Sequence, residues 1–143
     1  MMVLVDTSVW SHALRRRQVE PSCHVQELTQ LIRDTRVQML GAIRQEILSG
    51  IRIEEQFVKV REQLRPFSDL LLVAEDYEYA AELFNLLRGK GIQGSNTDFL
   101  ICAVSLRYKL PIFTTDKDFD LFARHIPLQL YAMSDSHAAL LNS

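Results

Sequence analysis

Short β-rich runs separated by helical patterns predict an α/β chain built on a mostly parallel sheet with crossover helices. Two further observations support that class. Asp6 closes the apolar run Val3-Leu4-Val5, and Asp116 follows Ile112-Phe113-Thr114-Thr115, so acids stand where a parallel sheet collects its ligands. The 143 residues, 48% hydrophobic and 24% charged with five Gly and four Pro, have the composition of an ordinary globular protein. A chain of this length buries roughly two thirds of its unfolded surface as one domain spanning 1–143, so no covalent staple is required.

The elements follow in order. Residues 3–5 form the first strand, and helical patterns cover 9–17 and, after Pro21-Ser22, 25–32, where Val25, Leu28, Leu31 and Ile32 recur at helical spacing. The next strand covers 37–40. Residues 41–49 carry Ile43, Ile47 and Leu48 on one stripe, with Gly50 as the stop signal. A helix over 54–64 points Phe57, Val60 and Leu64 inward and ends before Pro66; 70–73 read as a short buried strand or an extended connector. Residues 77–87 wrap Ala80, Ala81, Leu83, Phe84 and Leu87 around a helix finishing at Gly89. A helix begun by Ser95 covers 98–108, followed by a strand at 111–114, a short helix at 117–124 and an edge strand at 128–131. The last ten residues are the stretch with the weakest structural signal.

Cys23 and Cys102 are too few for a disulfide framework, and Cys102 sits inside an apolar run, so both read as free thiols in a reducing compartment. No apolar run approaches the roughly 18 residues of a membrane span, and no signal-peptide pattern opens the chain; the expected location is the cytoplasm. The net charge of −2 argues against a nucleic-acid partner until the suspected site is set aside, since removing four acids leaves +2. Bound divalent cations would turn an acidic pocket into an attractor for phosphate. Arg15-Arg16-Arg17, and Arg88 with Lys90, could add backbone contacts, although each cluster alone is explained by solvation.

The four acids are Asp6, Glu46, Asp98 and Asp116. Crossovers bring the tips of successive parallel strands to one edge, which places Asp6 and Asp116 together. The helix begun by Ser95 starts at the same edge, so Asp98 in its first turn faces that spot, and Glu46 joins if its helix borders the cleft. Each acid has a plainer explanation by itself: Ser95-x-x-Asp98 is a capping box, Asp6 an N-cap or Asx-turn, Asp116 a turn, Glu46 a solvated helix position. Their joint placement favours an oxygen-only site for magnesium or manganese, and such ions support phosphodiester cleavage by activating water and stabilising the leaving oxygen. Zinc is disfavoured, because the four histidines are scattered and the cysteines lie far apart.

Gly89-Lys90-Gly91-Ile92-Gln93-Gly94 matches the dinucleotide fingerprint G-x-G-x-x-G, but it follows a helix where that motif must follow a strand. Gly89 is better explained as a left-handed helix terminator. A metal-dependent phosphatase of the haloacid-dehalogenase type also puts Asp at a strand tip, but requires Asp-x-Asp, and Ser8 occupies the second position. A catalytically silent domain that binds RNA or protein is the other alternative.

Val-Leu-Val-Asp-Thr-Ser-Val-Trp at 3–10, Arg-Gln-Glu-Ile-Leu-Ser-Gly at 44–50, Asn-Thr-Asp-Phe-Leu-Ile-Cys-Ala at 96–103 and Thr-Thr-Asp-Lys-Asp-Phe at 114–119 together resemble the PIN-domain ribonucleases, most closely the VapC-like toxins of bacterial toxin-antitoxin pairs. The resemblance implies a three-layer α/β/α fold and a magnesium- or manganese-dependent endoribonuclease. It further implies a homodimer, with RNA as substrate and a cognate antitoxin as inhibitor. It assigns the acidic ligands to Asp6, Glu46, Asp98 and Asp116, with Asp118 as a further acid and Ser8 and Thr114 as hydroxyls that steady the carboxylates. Residues 51–75 carry no distinctive signature of the family.

Overall fold

A computed structural model of the chain describes residues 1–15 and 22–138. Three parallel strands, β1 (Val3–Val5), β2 (Val37–Gln38) and β3 (Ile112–Phe113), form a sheet in the order β2-β1-β3. Leu4 is the pivot of the register, standing beside Gln38 on one side and Ile112 on the other. All three residues of β1 are buried, as expected of a continuous apolar run in a parallel sheet covered on both faces.

The remaining strands are shorter than the sequence suggests. Leu40 already serves as the N-cap of the following helix, which cuts the second strand to two residues plus a bridge from Met39 to Asp69. Leu70 donates its N–H to the Met39 carbonyl at 3.0 Å, and the chain then leaves the sheet. Residues 70–73 are therefore a connector, with Leu71 88% exposed, and the buried-strand alternative is set aside. At the opposite edge the 128–131 strand contracts to one parallel bridge between Leu130 and Ile112.

The helices are α1 (Thr7–Arg15), α2 (Cys23–Arg33), α3 (Gly41–Leu48), α4 (Glu54–Leu64), α5 (Ala74–Gly89), α6 (Asn96–Tyr108), α7 (Asp118–Ala123) and α8 (Asp135–Ala138). They pack as two sets flanking a small parallel sheet in a three-layer α/β/α arrangement. In one set α1 lies on α2 and α3, α4 on α3 and α8 on α2; in the other, α5 lies along α6. No helix among the described residues is long and apolar enough to cross a membrane.

Side-chain chemistry accounts for the starts of α2, α5 and α6. Ser22 caps α2 by accepting from Val25 N–H at 3.2 Å, and Leu28 and Leu31 fill the core while Ile32, expected inward, is exposed. Helix α5 begins three residues before the expected position, because Asp76 accepts from Val73 N–H at 2.8 Å; valine has no acceptor to return, so this box is half made. Asp76 is fully buried, takes a hydrogen bond from Tyr108 Oη at 2.9 Å and faces Arg107 Nε at 3.1 Å, which ties the start of α5 to the end of α6. Helix α6 is less amphipathic than expected, with every residue from 99 to 105 buried, so it is the most enclosed helix of the fold.

Two glycine assignments separate. Gly89 belongs to α5, and the left-handed residue of the following turn is Gly91, at φ 79°, so the terminator sits two positions later than expected. Gly94 is required for space: a Cβ there would stand 2.8 Å from Phe122 Cζ and 3.0 Å from the Phe99 ring. The expectation that the last ten residues lack structure is corrected in part. Residues 135–138 form α8, while 139–143 lie outside the described residues.

Candidate active site

Asp6 leaves the end of β1 and is 4% exposed. Its backbone N–H donates to the Phe113 carbonyl at 2.8 Å, which locks the tip of β1 against the tip of β3. Two hydroxyls converge on one carboxylate oxygen: Ser8 Oγ donates to Oδ2 at 2.9 Å and Thr114 Oγ1 at 2.8 Å. These hydroxyls are themselves fixed, since Ser8 Oγ accepts from Thr115 N–H and Thr114 Oγ1 from Asp116 N–H, each at 3.0 Å. Ser8 and Thr114 thus hold the Asp6 carboxylate by hydrogen bonds, and Thr114 also seats the backbone of Asp116.

Asp98 is half-buried at the third position of α6. Its Oδ2 accepts from Ser95 N–H at 3.0 Å while Ser95 Oγ accepts from Asp98 N–H at 3.1 Å, a complete capping box. The capping reading is therefore correct, and it leaves Oδ1 without a hydrogen bond. Asp116, also half-buried, accepts at Oδ1 from Asp118 N–H at 2.9 Å, so its second oxygen is likewise unengaged. Asp118 is exposed and contributes that backbone donor.

Electrostatics link these acids. Burial raises the Asp6 carboxyl above its ordinary value against the opposing pull of the Thr114 and Ser8 hydroxyls. Burial also raises Asp98, outweighing its Ser95 hydrogen bonds, and the negative charges of Asp6 and Asp116 push it the same way. Cys102, one turn beyond Asp98, is fully buried: burial raises its thiol, helped by the charges of Asp98 and Asp6, so it is held protonated and unreactive. The sequence reading of Cys102 as a small buried hydrophobe agrees with its place in the core.

Glu46 stands apart. It is exposed in the last turn of α3, with no hydrogen bond or ion pair among the described residues. Its neighbour Arg44 is structural, bridging Asp69 at 2.9 Å and the Leu64 carbonyl at 3.0 Å. No three His, Cys, Asp or Glu side chains among the described residues are grouped tightly enough to hold one ion unaided. Of the basic clusters, Arg88 lies over the Phe84 ring, 5.6 Å from its centroid, whereas Arg16 and Arg17 lie outside the described residues.

The model of the PIN domain family matches residues 3–125. Curated relatives include a VapC ribonuclease of Mycobacterium bovis and ribonuclease VapC11 of Mycobacterium tuberculosis, each 30% identical over 133 residues, covering 90% of this chain and 96% of the relative. Among solved structures, VapBC2 of Rickettsia felis bound to a promoter DNA fragment superposes with a TM-score of 0.74 at 19% identity, covering 94% of this chain and 100% of the other. FitAcB of Neisseria gonorrhoeae gives 0.71 at 20% identity, with 92% and 97% covered, which demonstrates the same fold. With its strand-tip acids, its capping box at Asp98 and a family match over most of its length, the chain belongs to the PIN-domain family.

Proposed function

We propose that this chain is a divalent-metal-dependent endoribonuclease and the toxin of a toxin-antitoxin pair. The observation that carries the reading is the convergence of Asp6, Asp98 and Asp116 at the edge where β1 and β3 end: burial raises Asp6 and Asp98, and the charges of Asp6 and Asp116 push Asp98 further up. Curated relatives carry the name ribonuclease, and a solved structure of similar fold, VapBC-5 of Mycobacterium tuberculosis, is described as a member of the VapBC family of toxin-antitoxin systems, which supports RNA as substrate and an antitoxin as partner. The reading includes a homodimer and a cytoplasmic location.

The residues suit magnesium or manganese. The donors are all carboxylate oxygens, and Asp6, Asp98 and Asp116 each keep one oxygen free of side-chain hydrogen bonds. Direct ligation by three or more side chains is not needed, because magnesium usually keeps several waters and is held by one or two carboxylates together with substrate phosphate. Asp6, Asp98 and Asp116 would hold the ion, with Glu46 contributing as a ligand or as the residue that orients water, and Asp118 as a weaker outer acid.

When bound, a divalent cation supplies positive charge for the scissile phosphate, the attacking water and the leaving oxygen. The chain's own part is positional. Ser8 and Thr114 fix the Asp6 carboxylate, and the capping box fixes Asp98.

Asp6→Asn and Asp98→Asn should each lower RNA cleavage in manganese by more than about 100-fold while leaving the circular dichroism spectrum intact. Full cleavage by either folded variant would refute the assignment. The second reading, a silent binding domain, draws on the exposed Glu46 and on no three acids among the described residues being grouped to hold an ion; metal-dependent cleavage that disappears in Asp98→Asn excludes it.

A further inference from the structure

The first turn of α6 borders a groove on its other side, facing α5. Tyr77, Phe84 and Asn85 of α5 and Asn96, Thr97 and Leu100 of α6 line about 380 Å³, a volume within the range of small-ligand sites. Tyr77, Phe84 and Asn85 are spaced by seven and eight positions, so they share one face of α5. The floor is apolar and rigid: Leu100 is buried, and Phe84 packs edge-on against Phe99 at 5.4 Å. Tyr77 is 56% exposed at the mouth.

Three polar side chains line the groove with no hydrogen bond to other described residues: Asn85 and Asn96 are exposed and Thr97 is half-buried, so their polar groups are open to a ligand. Packing α5 on α6 does not require amides there. A nucleobase makes use of them, because it offers a flat face for aromatic and apolar contact and an edge of donors and acceptors for amide groups. The Arg88 guanidinium over the Phe84 ring adds positive charge at the same end, suited to the phosphate that accompanies a base. Thr97 directly precedes Asp98, so a base seated in the groove belongs to a nucleotide beside the bond that Asp98 helps to cut.

We propose that the groove between α5 and α6 holds one unstacked base of single-stranded RNA next to the scissile bond, making Tyr77, Asn85 and Asn96 specificity-determining residues. This rests on the ribonuclease reading above. A base in an A-form duplex cannot present both its face and its edge, so the substrate is a loop or other unpaired segment.

The test pairs cleavage with binding. Wild-type protein digests a randomised single-stranded RNA library, and the new ends are sequenced; Asp98→Asn protein, which retains the capping acceptor, is titrated with fluorescent oligoribonucleotides varied at one position. A base preference should emerge beside the cut, and Asn85→Ala and Asn96→Ala should each flatten it by about tenfold. Tyr77→Ala should weaken binding of all bases by about fivefold or more, and Tyr77→Phe should restore it, because stacking needs the ring and not the hydroxyl.

Unchanged base preference in folded Asn85→Ala and Asn96→Ala overturns the proposal. So does a Tyr77→Ala variant that halves the particle mass in solution while keeping wild-type preference, which would make the groove a contact between two copies of the chain. If the wild type cleaves no RNA in either metal, the nuclease reading fails by itself. Base-selective binding by the Asp98→Asn protein, lost on Asn85→Ala, would still uphold the groove.

Discussion

Burial raises Asp6 and Asp98 together, and the sign of the consequence for stability can be worked out. Both bind a proton more tightly folded than unfolded, so their contribution is most favourable at low pH. It is lost as pH rises from the ordinary carboxylate value through the raised folded values, and is flat above them. Glu27 runs the other way. Burial alone would raise it, but hydrogen bonds from Tyr131, His137 and Ser134 outweigh that and hold it below its ordinary value, so its contribution is lost as pH falls through the folded value. The two trends separate in a single variant. Asp98→Asn keeps the acceptor for Ser95 N–H and removes a charge that repels Asp6 and Asp116, so it should melt above the parent at pH 7 and lose that advantage below the carboxylate range. A Tm at pH 7 equal to or below the parent's would contradict the coupling.

At the scale of elements, Glu27 is the clearest case of long-range dependence. It is buried on α2 and accepts from Tyr131 Oη at 2.6 Å, from Ser134 Oγ at 2.9 Å and from His137, pinning 131–138 and α8 across the helix. The same contact and its own burial push the Tyr131 phenol up to about 12. Glu27→Ala strands those donors and should cost about 2–4 kcal/mol in urea unfolding, with Glu27→Gln recovering part of the loss. Gly94→Ala places a methyl against Phe122 and Phe99 and should cost about 1–3 kcal/mol by the same measurement. Helix existence was legible everywhere but at α8, because 3.6-residue periodicity and caps such as Ser95-x-x-Asp98 are local signals. Strand length was not, since a strand ends where its neighbour stops offering a ladder, as β2 does once Leu40 turns into α3.

For the whole molecule, the proposed cation site would link metal binding to folding through the repelling acids. Manganese or magnesium should raise the Tm of the parent chain, by about 2.7 kcal/mol of stability at a hundred times Kd, and raise that of Asp98→Asn far less. No thermal response in the parent at millimolar metal would remove the metal from the proposal. The sequence by itself determined the order of elements, the placing of Asp6 and Asp116 at strand tips and the capping box of Asp98, because spacing and residue type within a few positions suffice for these. Tertiary structure alone decided which hydroxyl from 108 residues away meets Asp6, that Glu27 is buried, that Glu46 stands exposed and that amides line a groove between α5 and α6. Desolvation and charge coupling act through space, and they take their values only when distant segments have packed.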